Sequence, residues 1–514
     1  MVLQNLKDLS KKIFKTKDDL NLTDGPVRKN LFYLSLPVII INLLQVTYNI
    51  ADTFWLGQLS KNALAAITFA FPLVFFLISL GMGISVAGSV LVAQFEGKGK
   101  RDKVDYAASQ TVMFALIVSA ILGALGYFSV ETLVRLMGAS PEVAVLATDY
   151  MQVVSLGLFF MFGFFVFMSL MRGYGDTVTP MILMFATVIL NVILDPFLIF
   201  GWWIFPSMGV EGAAIATVFS RGLAMLVGLA ILFSGSKGVQ ISLTNMKPDF
   251  KFLKKMLRIG VPASIESTGR SVSVNALVAV IGLSFGNTIV AGYGIGIRIF
   301  SMIFLPAIAV GKGVETMTGQ NLGAGNFDRA GESAKIAAKY TFAVLTGMGI
   351  LTFLFARPIS AIFTTDPAVA ETAAHFLRYV ALSFGFIGIL RAYVGSFRGA
   401  GKTITAAVIS IATLGLIRLP IAVYAAPNIG VTGVWAAFFI SNILGATIAY
   451  TWYQKGTWRQ TITDKQKQKG DIAEDTDDFG ETLLSKLKNV IPENTLFSDI
   501  KTQKVIVAKI KGLF

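Results

Sequence analysis

Between Asn30 and Gln454 the chain is a succession of apolar runs, each about 20 residues or longer, separated by short polar breaks. A run of that length crosses a bilayer hydrocarbon core of about 30 Å as an α-helix. The runs lie near 31–56, 64–93, 105–128, 142–171, 177–201, 209–234, 257–283, 288–318, 331–355, 367–397, 403–425 and 430–454, which predicts twelve membrane-spanning helices. Polar positions inside them are few enough to weigh singly. In span one, Asn42, Gln45, Asn49 and Asp52 recur every three or four residues and stack on one helical face. In span five, Thr187, Asn191 and Asp195 keep the same interval. Burying a carboxylate at mid-membrane costs about 2.5 to 3.5 kcal/mol on insertion scales, so two such stripes need a reason. Either each Asp lies near a helix end and reaches water, or the two form a proton or cation site between helices.

Composition agrees with the pattern. The chain is 54% hydrophobic and 14% charged, where a soluble domain has about 25% charged residues. It is an integral membrane protein, multi-pass, expected in the plasma membrane. There is no cysteine, so neither a disulfide nor a thiolate metal site, and the single histidine, His375, excludes a multi-histidine metal centre within one chain. No cofactor is expected, and no nucleophile–base constellation marks an enzyme.

The net charge of +14 sits mostly in the termini and in alternate loops, which sets topology and does not imply nucleic acid. Lys98, Lys100, Arg101 and Lys103 follow span two, and Lys237, Lys247, Lys251, Lys254, Lys255 and Arg258 follow span six. Arg172, Arg329, Arg398 and Lys402 mark the loops after spans four, eight and ten, while those after spans five, seven and eleven hold no Lys or Arg. Both termini and the basic loops are therefore expected to be cytoplasmic. Residues 1–29, with Lys7, Lys11, Lys12, Lys15 and Lys17 among Leu3, Leu6, Ile13 and Phe14, are read either as a basic amphipathic segment on the membrane surface or as a solvated charge run. Residues 456–514 are read as a cytoplasmic tail, poorly ordered or surface-bound.

Self-similarity divides the chain. An offset of 226 takes Arg172 and Gly173 to Arg398 and Gly399, Gln94 to Gln320, Gly99 to Gly325 and Pro141 to Pro367. Spans one to six therefore reappear as spans seven to twelve. Six being even, the halves are parallel repeats about an axis along the membrane normal, expected as two lobes around a central cavity. The expected layout is a first lobe over 30–235, a cytoplasmic linker over 236–256 and a second lobe over 257–455. Asp52 maps onto Val278 and Asp195–Pro196 onto Leu419–Pro420, so the acidic pair belongs to the first lobe alone. In the second lobe, Glu266 and Arg270, four apart on span seven, and Arg391 in span ten are expected to form a buried ionic network. The stretch GSFRGAGKT, Gly395 to Thr403, has one residue too many for a phosphate-binding loop, which argues against direct ATP drive.

Several segments together carry a family resemblance: YNIADTFWLGQL at Tyr48–Leu59, MRGYGDTVTP at Met171–Pro180, LNVILDPFLI at Leu190–Ile199, VEGAAIAT at Val210–Thr217 and VETMTGQNLGAG at Val314–Gly325. Over residues 30 to about 455 the chain resembles the multidrug and toxic compound extrusion (MATE) transporters, and in detail their prokaryotic DinF-like branch. The resemblance implies a first-lobe cation site at Asp52, Asn191, Asp195, Tyr150 and Thr217, with Asn49, Gln45 and Thr187 as auxiliary polar positions. The NorM branch carries an acid in span ten where this chain has Ile387. The resemblance also implies a secondary active exporter of lipophilic, often cationic, organic compounds, coupled to H+ or to Na+ held at Asp52, Asp195 and Asn191. The expected partners are a small organic substrate and membrane lipid, and the expected state is a monomer. The alternative is a flippase of lipid or lipid-linked substrates from the same superfamily, which would need a cationic cavity for phosphate.

Overall fold

The structure is a computed structural model that describes residues 14–459, and these are helical throughout, with no strand among them. The spans are Val27–Leu59, Lys61–Gly97, Arg101–Leu136, Pro141–Tyr174, Val178–Phe200 and Gly209–Ser234, then Phe250–Ser284, Asn287–Gly323, Phe327–Leu354, Pro367–Gly399, Thr403–Asn428 and Val431–Gln454. Most run past the apolar stretch that reveals them, because the helix continues into polar first and last turns. Ten are individually long and apolar enough to cross a membrane. Span ten joins them as two helices bent by 54° at Leu382–Ser383. Span seven completes the twelve; Glu266, Arg270 and its serines dilute its apolar character. Span eleven is interrupted by a π-helical segment over Ala412–Arg418, just ahead of Pro420. The twelve helices form two six-helix lobes.

The lobes are tied at the end that carries the basic loops, and the tie obeys the repeat. Gln94 of span two donates to the Gly399 carbonyl of span ten at 3.0 Å, and its counterpart Gln320 of span eight donates to the Gly173 carbonyl of span four at 3.0 Å. A Cβ at Gly97 would run into the Gln320 carbonyl, and one at Gly323 into that of Gln94, so only glycine lets the backbones approach this closely. Among the described residues, no hydrogen bond joins the lobes on the far side of Ser79–Thr268 (2.8 Å) and Asn42–Leu305 (3.5 Å). Gly97→Val together with Gly323→Val is expected to prevent this closure. The chain has no cysteine, so spin labels at Asp102→Cys and Asp328→Cys read the separation cleanly. A longer distance in the double valine variant is the expected result.

The described end of the N-terminal segment packs on protein. Leu20 and Leu22 are buried in the second-lobe core with Leu31 and Leu34. Asn321 donates to the Leu22 carbonyl at 3.0 Å and Arg329 to the Asp24 and Gly25 carbonyls at 2.6 and 2.7 Å. Lys17 pairs with Glu96 of the first lobe at 3.3 Å. The segment thus crosses the seam between the lobes, because its leucines find protein and its carbonyls find donors. Residues 1–13 of the expected amphipathic stretch, and the tail beyond Arg459, lie outside the described residues.

The connection between the halves is also laid on protein. Gln110 of span three donates to the Asn245 and Lys247 carbonyls at 2.6 and 2.7 Å, and Val239 and Ile241 are buried. Asp249 caps span seven by accepting from the Lys251 and Phe252 amides. The Tyr106 hydroxyl, donating to Asp249 at 2.7 Å, holds that carboxyl below its usual range.

Candidate functional site

Two polar regions stand out inside the apolar bundle, one within the first lobe and one between the lobes.

The first gathers six residues from four spans. Asp52 and Asp195 are 2% and 0% exposed, and their carboxyls lie near enough to act on one another electrostatically. Asn191, one turn before Asp195 on span five, donates to it at 3.0 Å. The Thr217 hydroxyl of span six lies 3.5 Å from Asp52 Oδ2. Tyr150 of span four is buried beside both carboxyls, and Tyr48 is buried one turn before Asp52. The helical spacing of the two stripes accounts for the meeting: each puts its acid on the face where spans one and five pack together. Neither Asp reaches water at a helix end, so the first of the two readings does not hold.

The auxiliary positions divide. Gln45 donates to Asn49 at 3.2 Å, extending the stripe along span one. Thr187 is buried but gives its hydroxyl to the Leu183 carbonyl of its own helix at 2.7 Å, which satisfies it without the acids. One residue was passed over in the sequence: Arg221 of span six, 3% exposed. Its guanidinium donates to Gln45 at 3.1 Å and lies over the rings of Tyr48 and Phe165 at 4.8 and 5.3 Å. It is near enough to Asp52 to attract it. The signal was available, since Arg221 is the only basic residue of span six and lies one turn beyond Thr217.

Charge balance defines what this pocket can take. Two carboxylates and one guanidinium leave one negative charge in a dry environment. Asp52 Oδ1, Asp195 Oδ2 and Asn191 Oδ1 are buried with no donor to satisfy them. Such oxygens are costly unless a proton or cation meets them. One monovalent cation would neutralise the pocket. Among the described residues no cluster of three or more His, Cys, Asp or Glu exists to hold a higher charge.

The second region is a cavity of about 420 Å³ between the lobes. Its wall holds Arg172, Arg270, Lys312, Arg391 and Arg398, with Glu315 as the carboxylate. The expected second-lobe network is present but differently wired. Glu266, 3% exposed, does not bond Arg270; it accepts two hydrogen bonds from Arg398, one of them Nε to Oε2 at 3.1 Å, and one from Ser410 at 2.7 Å. Arg270 bears on that pair only through its charge, and Arg391 stacks on Phe304 at 4.7 Å. Arg172 and Arg398, read from the sequence as loop charges, both reach into the cavity. Arg418 is satisfied within the second lobe by Ser441 at 2.9 Å and Asn442 at 2.7 Å.

Comparison with known proteins agrees with this architecture. The MatE family model matches twice, over residues 37–197 and 262–424, the two halves of the internal repeat. The chain is 28% identical over 443 residues to the probable multidrug resistance protein YpnP of Bacillus subtilis, covering 85% of this chain and 97% of YpnP. It is 29% identical over 434 residues to the FAD transporter of Shewanella oneidensis, covering 84% and 96%. It superposes with a TM-score of 0.78, at 26% identity, on the outward-facing conformation of a multidrug resistance MATE family transporter, covering 86% of this chain and 98% of that one. With two tandem matches, twelve helices in two lobes and a transporter's central cavity, the chain belongs to the MatE family of multidrug and toxic compound extrusion transporters, and it is a membrane transporter, not an enzyme.

Proposed function

We propose that the protein is a secondary active exporter of the plasma membrane, driven by one monovalent cation that enters the Asp52–Asp195 pocket as cargo leaves by the cavity between the lobes. The observation that carries this reading is the acidic pair itself, buried, facing, and short of donors. Two carboxyls buried side by side repel one another when both are ionised, and a proton on one relieves that repulsion, which favours H+ as the driving ion. The donor-free oxygens of Asp52, Asp195 and Asn191 are hard ligands for Na+ and support that ion as the second reading. Efflux from proteoliposomes under separately imposed proton and sodium gradients decides between them; export that runs equally well with neither gradient would contradict the proposal.

The basic-loop end is placed in the cytoplasm with both termini, on the charge of its loops. The tie through Gln94 and Gln320 then closes the cytoplasmic side, so the conformation is outward-facing, in keeping with the neighbour described in that state. Prolines 37 and 196 lie within unbroken helices next to the polar stripes, where a bend between states would need no new break in the backbone ladder.

Arg221 enters as a tethered positive charge that leaves room for only one mobile cation. Arg221→Gln is expected to slow export roughly tenfold, within the usual size of coupling energies, and to steepen its dependence on the driving ion. Arg221→Lys, which keeps the charge, should keep the slope. Initial export rates across a series of ion gradients check this.

The resemblance to drug exporters brought with it an expectation of cationic cargo, and the relative from Shewanella is named for FAD, a compound bearing phosphates. The charge of the cavity wall bears on that choice.

A further inference from the structure

We propose that the cavity between the lobes takes an amphipathic organic anion: a phosphate-type headgroup held by Arg270, Lys312 and Arg391, with an apolar body against Phe75, Ile78, Met82 and Phe165. The inference rests on the reading of this cavity as the cargo path.

Five cationic side chains surround the space against two carboxylates, Glu315 on the wall and Glu266 behind it, an excess of three positive charges. Glu266 is already spent on Arg398. Arg270 and Lys312 make no ion pair or hydrogen bond within the described residues, and Nε of Arg391 and of Arg172 are buried without acceptors. Unpaired cations of one sign in a low-dielectric cleft concentrate the field there and attract counter-charge. Guanidinium groups supply the forked donors that phosphate accepts best.

The opposite wall differs. Phe75, Ile78, Met82, Val86, Phe165 and Met168 of the first lobe offer aromatic and adaptable apolar surface. The cavity's volume of about 420 Å³ falls in the usual small-molecule range of roughly 300–1,000 Å³. A lipophilic cation would find the apolar half suitable but would meet three unbalanced positive charges at the other.

A matched pair of probes tests the headgroup. Riboflavin 5′-phosphate and riboflavin share one ring system and differ by the phosphate. Short-chain dihexanoyl phosphatidic acid and dihexanoylglycerol differ in the same way on a lipid body, and tetraphenylphosphonium is the cationic control. Binding to the purified full-length protein is measured by calorimetry in phosphate-free buffer. At least one phosphate probe should bind roughly tenfold or more tighter than its neutral partner and tighter than tetraphenylphosphonium, with the advantage shrinking as salt is raised. Preference for the riboflavin phosphate identifies a soluble organic phosphate as the class, and preference for phosphatidic acid a lipid headgroup. Arg391→Gln with Lys312→Gln should remove most of the advantage, and the salt series on the unaltered protein gives the same answer without a variant. If neither phosphate probe exceeds its neutral partner, or the cation binds tightest, the inference is overturned. Gradient-driven export of tetraphenylphosphonium alone would sink the anion and leave the exporter; phosphate-selective binding with gradient-independent transport would sink the coupling and leave the anion.

Discussion

Asp195→Asn is expected to abolish ion-driven export, lowering the initial rate by at least about 100-fold, which corresponds to about 2.7 kcal/mol. Asparagine keeps the shape of the side chain and its bond to Asn191, so the bundle should remain intact. What it loses is the ability to take up and release a charge beside Asp52. The same loss is expected for Asp52→Asn, because either carboxyl alone, opposite Arg221, leaves the pocket neutral and with no call for a cation. The second lobe supplies an internal control: Leu419 stands where Asp195 stands in the first, and that lobe folds without an acid there. Export rates in proteoliposomes, with melting temperature in detergent as the check on folding, measure the effect. Neutral variants that export normally would place the driving ion elsewhere.

The second large effect belongs to stability. Glu266→Gln should destabilise the protein by about 3 kcal/mol, the lower part of the range of roughly 3–5 for removing one partner of a buried ion pair. The lower part applies because the Arg398 side chain is 21% exposed to the cavity while that of Glu266 is only 4% exposed. Glutamine would still accept from Ser410, but Arg398 would lose the carboxylate it bonds, leaving it only the more distant charge of Glu315. Thermal unfolding of the purified protein in detergent should show the loss, and restoring balance with Arg398→Gln in the same chain should recover part of it. A single variant as stable as the parent would mean that Glu266 contributes nothing net to holding spans seven and ten.

Most of the architecture could be read from apolar run length, because a bilayer leaves helices little freedom to be anything else. Spans seven and ten are instructive departures. Span seven was read as an apolar run over 257–283, yet its helix is too polar to qualify as a span by apolarity alone, while the bend in span ten has no Pro or Gly at Leu382–Ser383 to announce it. Helix ends ran further than the apolar runs, as at Gln94 and Gln320, and it is there, past the expected ends, that the lobes are joined.

The acidic pair was legible for a simple reason: residues three and four apart share a helical face, and polar side chains are rare enough in such spans for a stripe to stand out. Tyr150 and Thr217 have no such stripe and came only with the family resemblance. Glu266 and Arg398 are 132 residues apart, and no local period connects residues at that distance. Spacing within one helix suggested Arg270 as the partner, and packing between helices chose Arg398. Arg172 and Arg398 looked like loop charges because they abut glycine turns, yet a long side chain at a helix end can turn inward as readily as outward.

If cation entry at Asp52 and Asp195 drives cargo out, the two fluxes must move together when both are followed in the same vesicles. Proteoliposomes loaded with an exported cargo and a pH-sensitive or sodium-sensitive dye report ion movement and export together. The account predicts that one of the two ions moves at a fixed ratio to cargo, and that both fluxes vanish together in Asp195→Asn. Export that continues in that variant, with ion movement still tied to it at the same ratio, would contradict the account.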